Sequence, residues 1–247
     1  MQFYDLALKQ HITRRLACAL VAVCIILFAF SNFSLAQGGA LLNRAQDGDA
    51  EAQFAMGVIY QQGNGVEQDY AEAAKWFRLA AEQGNAEAQN FLGFLYLNGE
   101  GVEQNYAEAI GWIRSSAEQE NAFAQVILGL AYYIGTGVEQ DHAETVKWLR
   151  LAAEQGDADA QNLLGNSYYN GEGVEQNYVE AVKWYRLSAK QGNASAQLNI
   201  GFAYSNGEGV AQDFAEAVKW WQMAAEQGDE IAKQLAEECM HKEYEDC

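Results

Sequence analysis

Outside the first 36 residues, the histidines and cysteines that could ligate a metal or attack a carbonyl reduce to His142, His241, Cys239 and Cys247. Neither histidine has a companion at zinc-ligand or triad spacing. The signatures G-x-S-x-G, S-x-x-K, H-E-x-x-H and the EF-hand loop are missing. Glycine pairs such as Gly63 and Gly65 lack the Lys-Ser/Thr and the preceding strand of a phosphate loop. The residues therefore argue against an enzyme, with no catalytic residue, and against a metal site and a cofactor. Cys239 and Cys247 are a possible disulfide. Eight residues of continuous helix span ~12 Å, beyond the ~7 Å Cα separation a bridge allows, so pairing requires the chain to turn back near Glu243.

What remains is recognition chemistry, and it is periodic. Five copies of a 36-residue unit run without insertion or deletion from Ala50, Ala86, Ala122, Ala158 and Ala194 and fill residues 50–229. A fixed period in this range marks a solenoid. Across the copies, the positions of Phe54, Ala55, Val58, Gln61 and Gln62 give 25 residues, none of them Asp, Glu, Lys or Arg. With 20% of the chain charged, about five were expected. The members are apolar, aromatic, or Asn, Gln or Ser, which resembles the composition of binding surfaces depleted of charge at their centre. Candidate partner-binding residues are Phe54, Val58, Asn90, Phe94, Val126, Leu130, Tyr133, Asn162, Asn166, Tyr169, Leu198 and Phe202. The competing reading of the same arc is side-to-side packing between helices. Ala55, Phe91 and Ile127, nearer the packing edge, belong to the core on either reading.

The elements that must carry these residues can be read from the fourth copy. Asp157 is a good N-cap for a helix over 158–170, and Gly171-Glu172-Gly173 stops it without steric strain. Asn177 opens a second helix, with Glu180 in capping-box spacing. Tyr178, Ala181, Val182, Tyr185 and Ala189 form one stripe of a 3.6-residue period. Gln191-Gly192-Asn193 closes the unit. Such a helix pair is too small to bury its own apolar faces and is stable only when stacked. Positions that barely change between copies, those of Ala50, Ala52, Gln53, Met56, Gly57 and Tyr60, form the packing arc. The once-per-repeat tryptophans Trp76, Trp112, Trp148, Trp184 and Trp220 read as core, as do Tyr60, Tyr96, Tyr132, Tyr168 and Tyr204. Charges such as Glu72, Lys75, Arg78 and Glu82 sit on the second helix at i,i+3 and i,i+4 spacing, on a solvated side.

In the fourth copy Ala158, Ala160, Gln161, Leu164, Gly165, Tyr168, Gly171, Gly173, Val174, Glu180, Ala181, Trp184, Ala189, Gly192 and Asn193 spell a pattern that resembles the Sel1-like repeat, a relative of the tetratricopeptide repeat. All five copies carry it. Departures are Glu120 for glycine, Gly111 for lysine and Thr145 for alanine. The resemblance implies an all-α fold, an α/α solenoid of antiparallel helix pairs wound as a right-handed superhelix. It also implies a protein-binding scaffold whose groove receives a protein or peptide partner. Cysteine-rich bacterial relatives have been linked to penicillin binding, so a β-lactamase-like or peptidoglycan-binding enzyme is the alternative. This chain lacks their repeated cysteine pairs.

Residues 1–36 read as a signal peptide. Lys9, Arg14 and Arg15 precede an apolar run from Leu16 to Phe30, and Ser34-Leu35-Ala36 is a small-x-small site, so cleavage is expected after Ala36. The run is shorter than the ~20 residues of a spanning helix. The expected location is periplasmic or secreted, with no membrane association after cleavage. An uncleaved anchor is the other reading. Removing these residues takes away three basic side chains and Asp5, so the net charge of −19 becomes −21. Such a body repels phosphate backbones, which argues against nucleic acid. A monomer is expected. Residues 37–49 match the closing half of a second helix and form an N-terminal cap. Residues 230–247 supply a capping helix and tail, with Glu237 at the glycine position.

Overall fold

The computed structural model describes residues 35–241. Among these residues there are twelve α-helices and no strand. They are α1 (Leu35–Gln46), α2 (Ala50–Gln62), α3 (Tyr70–Glu82), α4 (Ala86–Asn98), α5 (Tyr106–Glu118), α6 (Ala122–Ile134), α7 (His142–Glu154), α8 (Ala158–Asn170), α9 (Tyr178–Lys190), α10 (Ala194–Asn206), α11 (Phe214–Ala225) and α12 (Glu230–His241). Even-numbered helices from α2 to α10 open a repeat and odd-numbered ones from α3 to α11 close it. Consecutive helices pack on one another within α1–α4 and within α5–α12, and the fold is an α/α solenoid of helix pairs. The chain divides into two compact units, residues 1–104 and 105–247, with the division in the turn of the second repeat. Residues 1–34, which hold most of the signal segment, lie outside the described residues, and the expected cleavage point after Ala36 falls at the start of α1. No described helix is long and apolar enough to cross a membrane.

The caps follow the sequence closely. Asp49, Asn85, Asn121, Asp157 and Asn193 each accept the backbone N–H three residues on, at the start of a first helix. Asp69, Asn105, Asp141, Asn177 and Asp213 do the same for second helices. Each first helix ends on a left-handed glycine, as at Gly171. The second glycine of the turn has a different task. A β-carbon on Gly173 would lie 1.9 Å from the His142 carbonyl oxygen, so the turn of the fourth repeat can pass over the start of α7 only without a side chain.

Within a repeat the helices meet through glycine. A β-carbon on Gly57 would lie 2.4 Å from the Phe77 ring, and one on Gly165 would lie 2.5 Å from Tyr185. The buried large side chain of each second helix is therefore Phe77, Ile113, Leu149, Tyr185 or Trp221, all 2% exposed or less. This corrects the sequence expectation for the tryptophans. Trp148 is buried, but Trp76, Trp112, Trp184 and Trp220 are half-buried one position earlier. Their place is the border of the core. Trp112 and Trp148 turn their indole N–H outward to Glu108 and Glu144 at 3.0 Å.

Recurrent polar contacts tie the helices together both within and between repeats. Gln53, Gln89, Gln125 and Gln161 are buried, and each donates to a backbone carbonyl eight residues back: Ala45, Ala81, Ala117 and Ala153. The amide oxygens of Gln53, Gln125, Gln161 and Gln197 accept from a glutamine thirty residues on. A buried amide satisfied at both ends avoids the cost of an orphaned polar group. Arg78, Arg114, Arg150 and Arg186 donate to the phenol oxygens of Tyr96, Tyr132, Tyr168 and Tyr204 in the following repeat, with the guanidinium carbon 5.4–6.0 Å from the ring centroid. The tyrosines are thus half-buried clasps. At the chain's start α1 takes the place of a preceding second helix, with Leu41, Leu42 and Ala45 packed against Ala52, Met56 and Ile59.

Candidate protein-binding face

The uncharged arc of the first helices divides on folding. Val58, Asn90, Phe94, Val126, Leu130 and Asn162 are buried, whereas Phe54, Tyr133, Asn166, Tyr169, Leu198 and Phe202 are half-buried. The first six belong to the packing of the solenoid, which corrects their assignment to an open groove. The reason is visible in the last two repeats. The Asn199 amide of α10 donates to Asn162 and Asn166 of α8 at 3.0 and 3.1 Å, so successive first helices meet along this side. Burial follows the repeat rather than the position on the helix: at one position Asn162 is buried and Leu198 half-buried, and at another Leu130 is buried while Asn166 and Phe202 are half-buried.

In residues 1–104, Phe54 closes an aromatic cluster. Its ring centroid lies 5.8 Å from Phe77 and 5.6 Å from Phe91. The amide oxygen of the buried Asn90 has no hydrogen-bond partner.

The more open face lies in residues 105–241. Tyr133 meets the His142 ring edge-on at 5.2 Å, and its carbonyl accepts from Gln140 at 2.7 Å. Tyr169 repeats the arrangement with Tyr178 at 5.0 Å and Gln176 at 2.8 Å. The Tyr169 hydroxyl also donates to Glu208, which accepts from Asn206 as well. Burial, together with this carboxylate, pushes the Tyr169 phenol up to about 12. Tyr185 donates to Asn166 at 2.8 Å, and burial raises its phenol further. Leu198 and Phe202 flank Trp221, whose indole N–H reaches the Leu198 carbonyl at 3.3 Å and whose ring lies edge-on to Phe202 at 5.7 Å. The result is a row of aromatic and aliphatic side chains held by amides.

Sequence reasoning placed Tyr185 on the apolar stripe but missed its counterparts Phe77, Ile113, Leu149 and Trp221, and it missed the arginine clasp. Both had a signal: a large apolar side chain at every copy, and Arg–Tyr at a fixed spacing of 18. Cys239 is buried and disulfide-bonded, while Cys247 lies outside the described residues. Among the described residues no cluster of three or more His, Cys, Asp or Glu could hold a metal ion.

The model of the Sel1 repeat matches residues 50–85, 86–121, 122–157, 158–193 and 194–229. Among solved structures, the chain is similar to a Sel1 repeat protein from Oxalobacter formigenes, with 33% identity, a TM-score of 0.80, and 85% of this chain and 86% of that one covered. It is also similar to a protective antigen present in uropathogenic Escherichia coli strains, with 42% identity and a TM-score of 0.79 over 81% of this chain. That alignment spans 43% of the antigen's length. Among curated proteins none matches.

Proposed function

Because the chain belongs to the Sel1 repeat family, whose repeats mediate protein–protein interaction, we propose that it is an exported, non-catalytic scaffold in the cell envelope or beyond. On this reading it binds another protein or peptide through Tyr133, Asn166, Tyr169, Leu198 and Phe202. The observation that carries the reading is the half-buried, charge-free row on the first helices, since contiguous apolar groups left reachable mark interaction sites. The side chains are already held by hydrogen bonds and ring contacts, so little ordering is required when a partner docks. Export is supported by the basic, apolar and small-x-small order of the first 36 residues. A disulfide at Cys239 fits an oxidising compartment.

The test is affinity capture from envelope extracts with purified protein, in parallel with a Tyr133→Ser/Leu198→Ser variant. A stoichiometric protein recovered by the first and lost by the second, at unchanged helical circular dichroism, is expected. Equal recovery refutes the assignment of the face. Mass analysis of exported protein should find Gln37 at the N-terminus.

A further inference from the structure

We propose that the occupant of this face is a segment in which lysine or arginine flanks apolar or aromatic side chains. The proposal rests on the binding reading above and adds the chemistry of the partner. It starts from what borders the row in residues 105–241. Gln140 and Gln176 tie the turns to the carbonyls of Tyr133 and Tyr169, which fixes the preceding residues, Glu139 and Glu175, beside the ends of those helices. Both glutamates are exposed, and Glu172 of the same turn is half-buried. The three turns 135–141, 171–177 and 207–213 carry two carboxylates each and no lysine or arginine.

Some of these carboxylates are engaged within the fold. Asp141 and Asp213 cap α7 and α11, and Glu208 accepts from Tyr169 and Asn206. Glu139, Glu172 and Glu175 are left to set the potential at the rim. Lys190 ends α9, about 18 Å of helix from the turn 171–177, and the other lysines and arginines of α5, α7, α9 and α11 are paired. Lys147, Lys183 and Lys219 pair with Glu144, Glu180 and Glu216, and Arg114, Arg150 and Arg186 clasp tyrosines. His142 packs its ring edge-on against Tyr133. An apolar row with an anionic border, on a chain of net charge −19, is complementary to a cationic segment and repels a second copy of itself. The reachable rings of Tyr133 and Tyr169 also offer faces on which a guanidinium can stack.

The test is selection from a random peptide display library on the purified full chain, followed by binding measurements on one selected peptide. Selected peptides should be enriched in Lys or Arg beside apolar or aromatic positions. The measured Kd should rise about tenfold between low and 0.5 M salt. The Glu139→Gln/Glu172→Gln/Glu175→Gln variant should weaken binding about tenfold, as three rim pairs each contribute a modest share. The matching Glu→Asp variant should retain it. If Tyr133→Ser/Leu198→Ser abolishes binding while the glutamine variant binds normally and no basic enrichment appears, the charge proposal falls and the binding face stands. If Tyr133→Ser/Leu198→Ser has no effect, both fall. A library that yields no binder, or self-association that the same substitutions remove, overturns the proposal as well.

Discussion

The indole of Trp221 fills the space that a side chain on Gly201 would need: a β-carbon there would lie 2.2 Å from Nε1 and 2.3 Å from Cδ1. The two helices of the fifth repeat are spaced by this contact. Gly201→Ala should therefore destabilise the protein by roughly 1–3 kcal/mol, the usual cost of overpacking a filled core. Gly111 is the control. It lies within α5 with nothing inside 4 Å of its missing β-carbon, so Gly111→Ala should stabilise by roughly 0.5–1 kcal/mol. Urea denaturation of the two variants checks both signs.

Glu120 adopts φ 64°, the conformation its counterparts Gly84, Gly156, Gly192 and Gly228 take at 87–94°. The departure from glycine thus leaves α5 and α6 with the bounds of the other repeats, and its cost is confined to one backbone angle. Glu120→Gly should stabilise by roughly 0.5–1 kcal/mol, the left-handed penalty less the entropy glycine loses on folding. Thermal melts should show a higher Tm with unchanged helical signal. A lower Tm would mean the side chain makes a compensating contact.

How far the sequence could be read depended on what the copies share. Caps and stops are local, so Asp157, Gly171 and Asn177 placed α8 and the start of α9 to the residue. The buried partner of the glycine is not local. It is Phe77 where Phe54 and Phe91 surround it, Tyr185 where Asn166 can accept its hydroxyl, and Trp221 where the Leu198 carbonyl waits. Each site demands size and leaves identity to its neighbours, so a search for repeated identity settles on the tryptophan one place earlier. The uncharged arc failed by half for a related reason. Freedom from charge is required both by burial, as at Val126, and by recognition, as proposed for Tyr133. Composition cannot separate the two, because equivalent positions such as Asn162 and Leu198 differ in burial from one repeat to the next.

Tyr169 and Tyr185 make the protein sensitive to alkali. Both phenols are raised by burial, Tyr169 to about 12, with Glu208 adding to its shift. The folded state holds these protons more tightly than an unfolded chain, whose phenols titrate near 10. Their contribution is therefore complete below pH 10 and is lost as pH rises through 10 to 12 for Tyr169, and beyond for Tyr185. Titration followed by phenolate absorbance should show a late component from Tyr169 and Tyr185. Tyr169→Phe/Tyr185→Phe should remove that late component and flatten the fall of Tm above pH 10. Ionisation of all tyrosines in one step near 10 would contradict it.

Cys239 is 2% exposed and disulfide-bonded within the cluster of Ala217, Trp221, Ala232 and Ala236. Cys18 and Cys24 belong to the segment expected to be removed on export, and we propose Cys247, which lies outside the described residues, as the partner in an exported chain. Peptide mapping without reduction should recover Cys239 joined to Cys247. Alkylation of the denatured, unreduced protein should label neither. The closed loop is short, so Cys247→Ser should cost about 2–3 kcal/mol by the loop-closure relation, with loss of packing at Cys239 adding to it only if the freed thiol moves. The same chain made without its first 36 residues in a reducing compartment should carry two alkylatable thiols and melt lower by a comparable increment. Because the export segment and the bridge are read from opposite ends of the molecule, two labelled thiols in protein recovered from the envelope would count against the bridge. One labelled thiol would instead point to a bond between chains.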